Sequence, residues 1–226
     1  MPSQDIRFKR LLLCSSDRGK LEPLRKRFEA VGIAVDCVTR ADDARQLLWD
    51  YNYDGVAIDL LLADRDGISF AMELRQEHPC TSVLVISTTR ETERGDSGPN
   101  WLSRSADYAR LLFALKQAGQ RSAGRPPKII HVEDDDSLAD LVQNTIGNQT
   151  QLFRARSAQE AQIAMSLREY DLALIRTDVP QTNVSWQDAL TGRQPLEIST
   201  DPHNDPVLNI LNNLRRPTFV HAPVYC

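Results

Sequence analysis

Val56 to Gly67, VAIDLLLADRDG, opens with a short run of branched and small apolar residues, reaches a carboxylate at Asp59, and turns at Asp66-Gly67. An apolar run of this length, with no alternation, has the pattern of a parallel strand buried on both faces. Open α/β sheets place their chemistry at the C-terminal ends of such strands, where Asp59 stands. The stretch therefore predicts a buried strand, a loop carrying an acid, and a helix that starts near Ile68.

Working outward, the same alternation extends to both sides. Arg10 to Cys14 reads as a strand, followed by a helix with apolar residues at Leu21, Leu24, Phe28 and Val31. Ser16 or Asp17 supplies the N-cap, since a short side-chain oxygen accepts from the free amides of a first turn. Gly32 closes that helix. Ile33 to Val38 reads as a strand, Ala41 to Asp50 as a helix, Ile68 to Gln76 as a helix and Ser82 to Ser87 as a strand. Arg90 to Pro99 is polar and ends in Gly and Pro, so any helix there is short. Trp101-Leu102 is read as a brief fifth strand and Ala106 to Ala118 as a closing helix. Strands alternating with helices imply a parallel sheet covered on both faces.

Composition narrows the class. The 226 residues suit one large domain or two of about a hundred residues each. The formal net charge is −4, with no basic stripe or recognition helix, so a nucleic-acid partner is not expected. Cys14, Cys37, Cys80 and Cys226 show no ligand spacing, which fits free thiols in a reducing compartment, the first two as core residues. The charged start (Asp5, Arg7, Lys9, Arg10) precedes an apolar run too short for a signal peptide or a membrane span. The expected location is cytoplasmic. The histidines are isolated, and no phosphate-binding glycine string or nucleophile, base and acid arrangement is present; the protein is not expected to be an enzyme.

The spacing Asp59-x-x-x-Ala63-x-x-x-Gly67 resembles the phosphoacceptor loop of bacterial response-regulator receiver domains, with Ala63 where the family usually has Pro. A second copy follows at Asp171 to Pro180, DLALIRTDVP, which keeps the Pro but has Arg176 at the acceptor position. The resemblance implies two tandem flavodoxin-like, doubly wound parallel sheets with strand order 2-1-3-4-5, the second without its final helix. The first domain is read as residues 1–120. Residues 121–127, the end of the connector GQRSAGRPP, form the linker, and residues 128–226 the second domain.

What the resemblance implies for the site is carried residue by residue. Asp59 is the candidate phosphoacceptor, Ser87 the hydroxyl that follows the phosphoryl group, and Arg104 stands for the Lys that ends the fifth strand. Ser15 and Ser16 replace the acidic pair that holds Mg²⁺, with Asp17 one residue further on. Mg²⁺ takes hard oxygen ligands, typically carboxylates, and two neutral hydroxyls coordinate it weakly. Arg104 in place of Lys brings a planar fork able to lock on a carboxylate. In the second copy, Glu133 and Asp134 of HVEDDDSL match the metal-binding pair. Arg176 puts a fixed positive charge where that metal would sit and can pair with either acid. Asp135 and Asp136 are expected to cap the helix that follows.

Two registers are open beyond Pro180. In one, Pro195 to Thr200 echoes the Ile86-Ser87-Thr88 ending of the first copy and is the fourth strand, with Ser199 the hydroxyl position and Ala222 the Lys position. In the other, Thr218 to His221 forms the fourth strand. Either way the closing helix, which in the family covers one face of the sheet beside the first helix, has no counterpart. The exposed strip is expected to be covered by the first domain or by a partner chain.

The function implied is a two-component signalling protein without an output domain: a degenerate, two-receiver adaptor working through protein contacts, with no cofactor or with Mg²⁺ only. The alternative is a phosphoacceptor receiving phosphate at Asp59 from a histidine kinase or phosphotransfer protein. Partners of either kind, or a second copy of the chain, are expected; a membrane is not.

Overall fold

The computed structural model describes residues 10–79, 81–86, 101–121, 124–146, 150–175 and 196–199. Its elements run β1 (Arg10–Cys14), α1 (Arg18–Glu29), β2 (Ala34–Val38), α2 (Ala41–Asp50), β3 (Gly55–Asp59), α3 (Gly67–Glu77), β4 (Ser82–Ile86) and α4 (Trp101–Arg121). They continue with β5 (Lys128–Val132), α5 (Asp136–Ile146), β6 (Gln151–Ala155), α6 (Ala158–Leu167), β7 (Leu172–Ile175) and β8 (Leu196–Ser199). Two four-stranded sheets result, ordered β2-β1-β3-β4 and β6-β5-β7-β8. All pairings within them are parallel.

The first sheet follows from its apolar strands. Leu11, Leu12, Leu13 and Cys14 of β1 and Val56, Ala57 and Ile58 of β3 are buried, as befits central strands with helices on both faces. On the α1 side, Leu21, Leu24 and Phe28 recur at three- and four-residue spacing and join Leu11, Leu13, Ala57, Leu84 and Ile86 in one core. Asp17 caps α1, and Gly32 beyond it takes the left-handed conformation, φ 84°, that a non-glycine residue resists. The second sheet repeats the plan with Ile130, Val132, Ala155, Ala161, Met165, Tyr170 and Ala173.

Both sheets are pegged at the same end. The amide of Arg10 donates to Asp54 Oδ2 at 2.9 Å, while the Asp54 amide donates to the Arg10 carbonyl at 3.0 Å. In the second sheet, Lys128 donates to Asp171 Oδ2 at 2.9 Å and Asp171 to the Lys128 carbonyl at 2.8 Å.

The structure differs from the sequence reading in two places and decides a third. Trp101 and Leu102 are not a strand; they begin α4, which runs uninterrupted to Arg121. Two apolar residues are too few to hold a strand against twenty-one residues without a proline and with a single late glycine. Among the described residues, the first sheet accordingly has four strands. Second, α4 falls in the same compact unit as β5 to β8. Third, β8 pairs with β7 and bears out the register in which Leu196 onward is the fourth strand. Thr218–His221 lies outside the described residues.

Candidate functional site

Asp59 ends β3 and is fully buried. It is flanked by β1 and β4, with Cys14 opposite Ile58 and Ile86 opposite Asp59. A carboxylate so placed needs hydrogen bonds to offset lost hydration. Ser15 Oγ donates to its Oδ2 at 2.7 Å, and the Leu60 amide donates to its Oδ1 at 2.8 Å. Ser15 Oγ in turn accepts from the Asp17 amide at 3.2 Å. Asp17 points elsewhere: its Oδ1 accepts from the Gly19 amide at 2.9 Å as the N-cap of α1. Ser16 is exposed, and its amide donates to the Leu61 carbonyl at 3.2 Å. Ser15 therefore joins Asp59 as the sequence implied, while Ser16 and Asp17 are used by the backbone around them.

The loop after Asp59 is held from several directions. Gly67 is required by closeness, because a Cβ there would lie 1.9 Å from the Asp59 carbonyl oxygen. The Gly67 amide donates to the Leu60 carbonyl at 2.8 Å. Ala63, standing where the family has Pro, has an N–H that a proline lacks and donates it to the Thr39 carbonyl at 2.9 Å. Asp64 accepts from the Ala41 and Asp42 amides at 2.8 and 3.2 Å, capping α2 from a distant loop. Burial opposes the charge on Asp64, but those amides outweigh it and hold its carboxyl below the usual range. Asp66 caps α3 through both the amide and the hydroxyl of Ser69, each at 2.7 Å.

One cluster was not singled out from the sequence. Arg65 donates to Glu73 at 2.6 and 2.8 Å and to Ser69 Oγ at 2.9 Å, and Arg45 reaches Glu73 and, at 3.2 Å, Glu77. Both guanidiniums lie over the Phe70 ring, 5.6 and 5.8 Å from its centroid. Partial burial pushes the Glu73 carboxyl up, and the bonds from Arg65 and Arg45 more than reverse it. The only sequence signal was an acid pair four residues apart on α3.

In the second unit Glu133 is fully buried after β5. Its amide donates to the Ala155 carbonyl at 3.0 Å, as Ser15 does to Val38 at 3.1 Å. Glu133 Oε1 accepts from the Asp135 amide at 2.9 Å, and Asp135 Oδ1 accepts from the Ser137 amide at 2.8 Å. Asp134 is exposed. Arg154 of β6 braces this loop, donating to the Glu133 carbonyl at 3.0 Å, the Asp134 carbonyl at 3.2 Å and Asp136 Oδ1 at 2.5 Å. Arg156 adds a bond to Asp136 at 2.9 Å, and Arg154 first, then Arg156, hold the Asp136 carboxyl below its usual range. Asp135 thus faces its helix as expected, whereas Asp136 turns to the two arginines.

Two site expectations are corrected. Arg104 lies in α4 and does not end a strand. Ser199 pairs with Ile175, the place that Val85 holds opposite Ile58; it stands two residues short of the position of Ser87, which follows the Asp59-to-Ile86 pair. The Ile-Ser-Thr echo matched letters and missed the ladder. Ser87, Arg176, Pro180 and Ala222 lie outside the described residues. Among the described residues, no group of three or more His, Cys, Asp or Glu side chains is arranged to hold a metal ion. None of their helices is long and apolar enough to cross a membrane.

The arrangement is that of a parallel α/β sheet with a buried acid at the end of its central strand. No protein-family model matches the sequence. The chain is 22% identical over 187 residues to the transcriptional regulatory protein QseB of Haemophilus influenzae, a match covering 80% of this chain and 84% of that one. It is 35% identical over 83 residues to the transcriptional regulatory protein BasR of Escherichia coli, covering 37% of each. Among solved structures it is similar to the response regulator TrrA of Thermotoga maritima in complex with Mg²⁺ and beryllium fluoride, at 18% identity and a TM-score of 0.34. That match covers 46% of this chain and 98% of that one. The curated relatives are thus bacterial transcriptional regulatory proteins, and the two parallel sheets interleaved with helices are the α/β class expected from the sequence.

Proposed function

We propose that the protein is a degenerate, two-receiver adaptor of a cytoplasmic two-component pathway, acting through protein contacts and without catalysis. The observation that carries this reading is the bond from Ser15 Oγ to Asp59 at 2.7 Å, at the position where the family supplies a metal-binding acid. Phosphoryl transfer to a carboxylate needs cations to neutralise the developing charge. Of the residues at the family's metal-binding end of the first strand, Ser15 donates its hydroxyl to Asp59, and Asp17 accepts from the Gly19 amide as a helix cap. That set does not fit Mg²⁺, which requires several hard oxygens in near-octahedral array. In the second unit Arg154 and Arg156 supply the positive charge beside the acidic loop, and Arg176 stands where an acceptor would be. Histidine kinases, phosphotransfer proteins or a second copy of the chain are the partners this reading assigns.

The competing reading, transfer of phosphate to Asp59, is separated by intact mass. The protein is incubated with a small phosphodonor and Mg²⁺ beside an Asp59→Ala variant. The expected result is no mass gain that depends on Asp59, and a stoichiometric gain lost in the variant overturns the adaptor. A pull-down of the intact chain tests the contacts: the expected result is capture of a signalling partner, weakened when Arg176→Asp alters the second site. Failure of the intact chain to retain any partner removes the basis of the proposal.

A further inference from the structure

We infer that α4 is the closing helix of the second unit, so that this unit is circularly permuted: the helix that ordinarily follows the last strand comes before the first. This goes beyond the adaptor reading and does not depend on it. The resemblance places a receiver's last helix beside its first helix, over one face of the sheet. In the second unit the first helix is α5, and the helix packed on it within that unit is α4.

The stripe on α4 suits that place. Leu111, Leu112, Ala114, Leu115 and Ala118 are buried, while Phe113 is half-exposed and Lys116 faces solvent. On α5, Ala139, Val142 and Ile146 recur at three- and four-residue spacing and are buried. The packing of α4 on α5 and the buried stripe that α4 carries are accounted for together when α4 is the second unit's cover.

The connection agrees. In a parallel sheet each helix carries the chain back to the end where strands begin. A closing helix therefore finishes beside the start of the first strand, and joining those two points needs only a short connection. Six residues separate Arg121 from Lys128. The end of that connection is sewn to the second sheet: Pro127 is buried and its carbonyl accepts from the Gln151 amide of β6 at 2.9 Å. Gly124, at φ 117°, makes the turn. The segment that reads as an interdomain linker is thus an internal connection of the second unit.

Hydrogen exchange on the full chain tests this through thermodynamic linkage. Two mild core substitutions are compared, Ile130→Val in β5 and Ile58→Val in β3, both at buried positions. Each should lower amide protection in its own unit by about twofold to tenfold. The expected result is that α4 amides from Leu111 to Ala118 lose protection in step with β5 and β7 under Ile130→Val and are unchanged by Ile58→Val. If they follow Ile58→Val, follow both substitutions, or follow neither, α4 is not the second unit's closing helix.

Discussion

At the scale of single residues, the site is decided by which oxygen faces which donor. Ser15→Ala leaves one oxygen of a fully buried carboxylate without its hydroxyl partner. Loss of one side of such a bond costs about 1–3 kcal/mol. Urea unfolding is expected to show that loss, and Ser15→Thr, which keeps the hydroxyl, is expected to restore most of it. Gly67→Ala is a backbone problem, since the added methyl would meet the Asp59 carbonyl at 1.9 Å. The helix start must shift, and overpacking of this kind costs about 1–3 kcal/mol. A Gly67→Ala variant as stable as the parent in the same titration would show that α3 has room to move. The placing of Asp59 at the end of its strand and of Gly67 at the start of a helix was legible from the apolar run and the turn that follows it. Asp17 was legible as a cap, because an Asp two residues before a helical glycine has an amide to take. Arg45 and Arg65 were not, since their meeting at Glu73 depends on how α2 and α3 lie on the sheet.

At the scale of elements, the acceptor-loop equivalent and α2 are fastened by one carboxylate. Asp64→Ala removes a cap from the Ala41 and Asp42 amides, an effect of about 0.5–2 kcal/mol on stability. The carboxyls of Asp64 and Glu73 are both held below their ordinary range in the folded protein. A depressed folded pKa contributes stability that is present above the unfolded value and lost as pH falls through the folded one. The expected profile is flat near neutrality and declines below about pH 4, the ordinary carboxylate range. Asp64→Asn should flatten part of that decline, and a profile identical to the parent's would show that the amides do not favour the charged form. The sheets themselves were readable because their central strands are continuous apolar runs. The helix Trp101–Arg121 was read as a strand and a shorter helix because Trp and Leu carry equal weight in either, and only continuity with the following turns settles it.

At the scale of the whole chain, repetition was visible in sequence while its bookends were not. The two matching strand patterns, one ending in Asp59 and the other leading to Arg176, announced two sheets of one topology, and both sheets have it. The boundary was set by Gly, Ser and Pro content at 119–127, yet composition reports flexibility and not which hydrophobic face a neighbouring helix covers. The pegs at Asp54 and Asp171 offer a measuring device. Each grips the opening amide of its own sheet with the same geometry, at 2.9 Å. An alanine at either site deletes an equivalent fastening, so the two resulting drops in denaturation midpoint can be set side by side. Equal drops would mean that the halves share a common scaffold rigidity despite their unlike acidic corners; unequal ones would rank which half yields first under load.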